Sequence, residues 1–288
     1  MRTQPQLKAA RNKLRSLQRR SRRLFVRLFR SYGQDELLAA LRATGIQPGD
    51  SVMLHSAFEP QHGFRGTSEQ VVDTFLEAVG PQGNLLMVSL PYRSSSLEYL
   101  LKLKCFDVRR TPSAMGLMSE FFRRRQDVLR SVHPTHPVLA HGSRAEWFVA
   151  GHEDCIFPCG PGTPFEKLLQ ADGKVAFFNV PLVFLTFIHY LEHMVKDRLD
   201  FPLYTNEPFE VPVIDRAGTP GMVRTFVFTP EAIARRRFSI LESWLVERGL
   251  VRKVKVGASY ILLVGVREIA NTVEEMARKG MYFYASDK

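Results

Sequence analysis

The chain has 288 residues, 45% of them hydrophobic and 24% charged, which is ordinary globular material and excludes a disordered protein. No apolar run reaches the roughly eighteen residues that a membrane-spanning helix needs, and no apolar block of a signal peptide opens the chain, so a cytoplasmic location is expected. The formal net charge of +11 is local: of 40 Lys and Arg, 11 fall in residues 1–30 without a single Asp or Glu, leaving 29 basic against 29 acidic residues elsewhere.

In chain order, Leu7, Ala10, Leu14, Leu17, Ser21, Leu24 and Leu28 recur at steps of three and four, flanked by Arg11, Arg15, Arg19, Arg22 and Arg23. That pattern predicts an amphipathic helix. Two readings stand. The helix docks on its own domain or on a sister subunit of a homodimer, or it binds an anionic membrane surface through its arginines and through Phe25, Val26 and Phe29. No zinc-finger, RNP or helix-turn-helix signature supports nucleic acid as a partner. The domain division is therefore 1–33, a basic helical extension, and 34–288, the body.

From Gln34 strands and helices alternate. DELLAALRATGIQPGD reads as a helix ended by Gly45, SVMLHSAF as a buried strand carrying Ser56 at its end, and GTSEQVVDTFLEAVG as a capped helix. GNLLMVSLPY is a second strand, and PSAMGLMSEFFRRR a helix whose start is marked by Thr111, Pro112 and Ser113. KVAFFNV is a third strand that runs into the helix holding HYLEH. RTFVFT, the helix PEAIARRRFSILESWLVERG, the strand SYILLVGV and the helix REIANTVEEMARKG follow. The order predicts one three-layer α/β unit. Cys105, Cys155 and Cys159 fit neither a zinc knuckle nor a CxxC redox pair, and read as incidental thiols.

His189 to His193 spell H-x-x-E-H, which admits two chemistries. Two histidines four apart can bind zinc beside a glutamate base, with Glu268 or Glu275 placed downstream for a third ligand. Without metal, His189 is itself the base that deprotonates a substrate amine. Thr186 and Glu192, three residues to either side, then share its helical face, and Glu192 fixes the tautomer of the imidazole. Helix starts near Ser68 and Ser113 offer backbone N–H groups to phosphates.

The series SVMLHSAF, GNLLMVSLPY, FDVRRTPSAMGLMSEFFRRR, VLRSVHPTHPVLAHG, CGPGTPFEKLL, TFIHYLEH and GASYILLVGV resembles, in order and spacing, the aminoglycoside 3-N-acetyltransferase family over about residues 35–280. The pairing of RSxHP with TxxHxxE carries most of the resemblance. It implies a three-layer α/β/α sandwich, acetyl-CoA or another acyl-CoA as co-substrate without a metal, and the amine of an amino sugar or aminoglycoside-like molecule as acceptor. It implies His189 as the catalytic base, with Glu192 and Thr186, and His133 as a second catalytic or donor-positioning residue. Ser56, Thr111, Ser113, Gly116 and Ser131 are the implied donor-binding residues. His136 stands where small residues are usual. Pro181 to Leu185 are wholly apolar where many relatives carry a polar or acidic residue, which points to a less charged acceptor. The alternatives are the zinc hydrolase and a non-catalytic sugar-binding relative.

Overall fold

The computed structural model describes residues 20, 21 and 23–285, so the stripe from Leu7 to Leu17 and Arg11, Arg15, Arg19 and Arg22 lie outside the described residues. Residues 23–29 are helical, as expected. Val26 is buried and lies against Gly63, whereas Leu24, Phe25, Leu28 and Phe29 are exposed. The segment is anchored where it ends: Ala258 N donates to Arg30 O at 3.1 Å, and the buried Tyr32 hydroxyl donates to Ser259 Oγ at 2.6 Å.

The body is built on a seven-stranded sheet. Its strands are β1 (Ser51–Ser56), β2 (Asn84–Val88), β4 (Leu129–Arg130), β5 (Val138–Gly142), β6 (Lys174–Phe178), β9 (Arg252–Val256) and β10 (Ser259–Gly265), in the order β4-β5-β2-β1-β6-β10-β9. β1 runs parallel to both β2 and β6, and every other pairing in this sheet is antiparallel. A central parallel strand is covered on both faces, which is why SVMLHS reads as a continuous apolar run. Val52, Leu54, Leu85, Met87, Ala176 and Phe178 face one core, closed by α1 (Gln34–Thr44) and α2 (Ser68–Val79). Met53, Leu86, Val88, Val175 and Phe177 face the other, closed by α7 (Ile188–Val195), α9 (Phe238–Glu247) and α10 (Val266–Arg278). The sandwich is the three-layer α/β arrangement expected.

A second sheet of three strands packs beside it: β3 (Phe106–Asp107) parallel to β7 (Phe209–Ile214), and β7 in a hairpin with β8 (Pro220–Thr225). The remaining helices are α3 (Ser96–Leu100), α4 (Leu117–Arg124), α5 (Ala145–Val149), α6 (Pro164–Gln170) and α8 (Pro230–Arg235).

Three boundaries differ from the sequence expectation, each for a local reason. The helix expected from Pro112 begins at Leu117, because Gly116 takes φ 108° and the preceding turn is tied off by Ala114 N on Leu90 O. PEAIARRRFSILESWLVERG is two helices, α8 and α9. At the break Arg237 N donates to Phe283 O and Ala285 N to Arg235 O, so residues 283–285 pair with it as a short strand. RTFVFT leaves its strand at Thr225, because Phe226 N turns to Ile156 O and carries Phe226 and Phe228 into an aromatic cluster.

Gly142 closes β5 opposite Asn84 at φ 127°, and a Cβ there would meet Gly83 O at 2.1 Å. Gly142→Ala is expected to destabilise the fold by more than about 1 kcal/mol. The check is urea unfolding: the midpoint should fall with an unchanged denaturant slope.

Candidate active site

The site begins with a carboxylate that has no access to water. Glu192, on the second turn of α7, is 0% exposed, and an unpaired charge there would be strongly disfavoured. Four donors compensate it. Arg236 forks onto it, Nε to Oε1 at 2.6 Å and Nη2 to Oε2 at 2.9 Å; the Tyr284 hydroxyl donates to Oε1 at 2.6 Å, and His189 Nδ1 lies 2.8 Å from Oε2. Burial pushes the Glu192 carboxyl up, but the hydrogen bond from His189 and the charges of His189 and Arg236 outweigh it and hold the pKa below the ordinary value. Burial raises Tyr284 far above its usual range, so it stays a donor.

An ionised Glu192 can only accept, so the proton of a neutral His189 sits on Nδ1 and Nε2 is left with a free lone pair. Burial lowers the His189 pKa from its ordinary value, against the raising effect of the Glu192 hydrogen bond, and the charge of Arg236 lowers it further. The imidazole is therefore neutral and basic at neutral pH. Its ring is held between Phe228, at 4.9 Å between centroids, and His136, edge-on at 5.3 Å.

Behind His136 lies a buried polar layer. His133 Nδ1 accepts from the backbone N–H of His136 at 3.1 Å, and its ring stacks on His152 at 4.4 Å. The Ser131 hydroxyl accepts from Val138 N at 2.9 Å and sits 2.8 Å from His152 Nδ1, whose other ring nitrogen faces Pro158 O at 3.1 Å. Burial drives the pKa of His133 and of His136 well down. His133 thus touches His136, which in turn lies edge-on to His189, and the Ser131 hydroxyl is hydrogen-bonded inside this layer.

A cleft of about 510 Å³ opens at the carboxyl ends of β1 and β2, where an open α/β sheet commonly binds ligands. Ser56, Gly116 and Thr186 line it, with His55, Arg93 and Phe184. Thr186 precedes α7 rather than lying on it, and its carbonyl accepts from His189 N at 3.1 Å, so one turn of chain joins the cleft to the base. At the opposite wall α4 starts with no side-chain cap, and its first-turn N–H groups have no intrahelical acceptors. Arg93 is exposed at the rim without an ion pair among the described residues.

Two of the expected donor residues stand apart from this cleft. The Thr111 hydroxyl closes a turn by accepting from Asp107 N at 2.9 Å, and Ser113 is bonded to Ser119 at 2.8 Å while its N–H goes to Glu120. The helix start near Ser68, also expected to offer N–H groups, carries a reciprocal Thr67–Gln70 capping box. The uncapped helix start that faces this cleft is that of α4.

The zinc alternative fails on its donor set. Glu192 is locked by Arg236, His193 Nδ1 goes to the Tyr204 hydroxyl at 3.1 Å, Glu268 caps Gly265 N, and Glu275 pairs with Arg248 and Lys279. Among the described residues no three His, Cys, Asp or Glu are grouped to hold a metal. Sequence reasoning missed Arg236 and Tyr284. Three consecutive arginines inside an otherwise apolar helix are the available signal for the first, since one of them must face inward; nothing local marks the second.

The aminoglycoside 3-N-acetyltransferase family profile matches residues 53–278. Aminoglycoside N(3)-acetyltransferase III of Salmonella sp is 29% identical over 191 residues, an alignment covering 62% of this chain and 65% of the relative, just under two thirds of its length. Aminoglycoside N(3)-acetyltransferase IV of Salmonella sp is 26% identical and aligned over 86% of this chain and 88% of its own. Among solved structures, AAC-IIIb in a binary complex with CoASH superposes with a TM-score of 0.73 at 25% identity, covering 89% of this chain and 99% of that one. AAC-VIa bound to sisomicin shares the fold, with a TM-score of 0.72 at 24% identity over 87% of this chain and 99% of that one. The chain belongs to the aminoglycoside 3-N-acetyltransferase family.

Proposed function

We propose that this protein transfers an acyl group from acetyl-CoA or another acyl-CoA to the amine of an amino sugar, with His189 as general base. The observation that carries the reading is the His189–Glu192–Arg236 array: a neutral imidazole with its Nδ1 proton fixed and Nε2 free, one turn from a cleft with an uncapped helix start. A non-catalytic relative would have no use for a buried ion pair that serves only to orient a base. CoASH is bound by the relative AAC-IIIb.

The donor's phosphates suit the free N–H groups from Gly116 to Met118 and the Arg93 guanidinium, and Ser56 lies on the same cleft wall. The acceptor amine, mostly ammonium near neutral pH, must lose a proton before its lone pair attacks the thioester carbonyl. His189 Nε2 accepts that proton, Glu192 stabilises the imidazolium, and the proton is available to the departing CoA thiolate. Among the lining residues Glu59 is the one carboxylate, and Val183 and Phe184 are exposed apolar side chains at residues 181–185. This favours an amino sugar carrying less positive charge than a polycationic aminoglycoside.

His189→Ala should lower kcat by ~10² to 10⁴ while CoA affinity, measured by calorimetry, stays unchanged. Glu192→Gln should lower kcat less, and its pH profile fixes the sign. Glu192 raises the His189 pKa, so its removal lets that pKa fall, and the acidic limb of kcat/KM moves to lower pH. An unmoved limb would show that His189 is not the titrating base.

The basic extension, residues 1–33, is proposed to hold the enzyme at an anionic membrane surface. Phe25, Leu28 and Phe29 are exposed beside Arg23, Arg27 and Arg30 on the described part of the helix, while no helix among the described residues is long and apolar enough to cross a membrane. A chain beginning at Arg23, which keeps the buried Val26 and Tyr32, is expected to keep its turnover on a soluble amino sugar but to lose most of its sedimentation with phosphatidylserine vesicles. Vesicle binding by the full chain should weaken as salt rises. Salt-insensitive dimerisation with no vesicle binding would assign the face to a second copy instead.

A further inference from the structure

A second cavity, of about 520 Å³, lies at the far end of α4 from the cleft. Six of its nine lining residues are arginines, Arg109, Arg123, Arg124, Arg125, Arg130 and Arg216, and none is acidic. They come from four separate parts of the chain: the turn after β3, the last turn of α4 and the residue beyond it, β4, and the turn between β7 and β8.

The fold neutralises only part of this charge. Glu120 holds Arg123 at 2.6 Å and Arg124 at 2.7 Å, and Asp73 and Asp127 hold Arg125. The carboxyl end of α4 contributes about half a negative charge. Arg130 and Arg216 have no carboxylate partner among the described residues. Arg130 donates to the carbonyls of Val108, Thr111 and Ser89, and Arg216 to those of Val128 and Gln126. Carbonyls satisfy hydrogen bonds without cancelling a cation. Arg130 is buried, and its Nε has no partner. Burial, followed by the charge of Arg123, lowers its pKa to about 9, which leaves it protonated at neutral pH. Arg109 is exposed, and its guanidinium bonds to nothing among the described residues.

We propose that this cavity is a second anion site, separate from the donor cleft, that takes a soluble ligand bearing a chain of two or more phosphoryl groups. Guanidinium groups attract phosphoryl oxygens, and three of the six, Arg109, Arg130 and Arg216, bring positive charge to the cavity that no carboxylate among the described residues pairs with. The volume falls within the range of small-molecule sites. No aromatic residue lines the cavity to stack a base, so the phosphoryl chain itself is the recognised part.

The test is calorimetry of the full-length protein with inorganic tripolyphosphate, at low and at physiological salt, with and without saturating CoA. One site is expected, weakened by salt and unaffected by CoA. The double substitution Arg109→Gln, Arg216→Gln should weaken it about tenfold or more, while CoA affinity and the thermal midpoint stay unchanged. Arg109→Gln alone, at an exposed and unpaired side chain, should show part of the loss without any risk to the fold. Absence of binding at low salt, displacement by CoA, or full binding by the double variant would overturn the proposal; the last would locate the anion on the basic N-terminus.

Discussion

Glu192 is the constraint on which the rest of the site depends. A carboxylate moved out of water is disfavoured by several kcal/mol, and only partners of fixed geometry offset that. Here the partners are drawn from α7 itself, from the break between α8 and α9, and from residues near 284. The departure from regular helix at Arg236 is the condition for bringing a guanidinium fork to a helix that cannot otherwise be neutralised. In turn, the fixed carboxylate determines which nitrogen of His189 carries the proton, and so which one keeps a free lone pair.

The parts legible in the sequence are those that depend on local pattern. The buried strand at Val52 to Leu54, the capped helix at Thr67 and the His189–Glu192 spacing are all set by residues within a turn or two of one another. What was illegible depends on contacts far along the chain. Arg236 lies 44 residues from Glu192 and Tyr284 lies 92, and neither spacing leaves a periodic trace. The hydroxyls of Thr111, Ser113 and Ser131 show a second limit of local reading: their residue type suits a phosphate, but contacts that no spacing reveals place them in turns and beside a buried histidine. Gly116 was legible as a residue and illegible as a helix start, since its positive φ is set by the turn before it.

Charge is distributed with a purpose that the net value conceals. The Glu192 carboxylate is internally balanced, the cleft at the ends of β1 and β2 has one lining arginine at its rim, and a cluster of six arginines stands at the other end of α4. A single short helix thus joins a neutral, mainly apolar chamber to a strongly cationic one, its amino end facing the first and its carboxyl end the second. Cations at a helix carboxyl terminus are favourable, so the polarity of α4 agrees with this division.

The pairing of residues 283–285 with the α8–α9 break has a consequence for biosynthesis. A nascent chain that has emerged only as far as Val195 contains both members of the His189–Glu192 pair but neither Arg236 nor Tyr284. At that point the Glu192 carboxylate lacks two of the three side chains that compensate its burial. His189 and Glu192 are thus neighbours in the nascent chain long before the guanidinium and the hydroxyl that fix their geometry exist, and the array is completed only once residue 284 has been made.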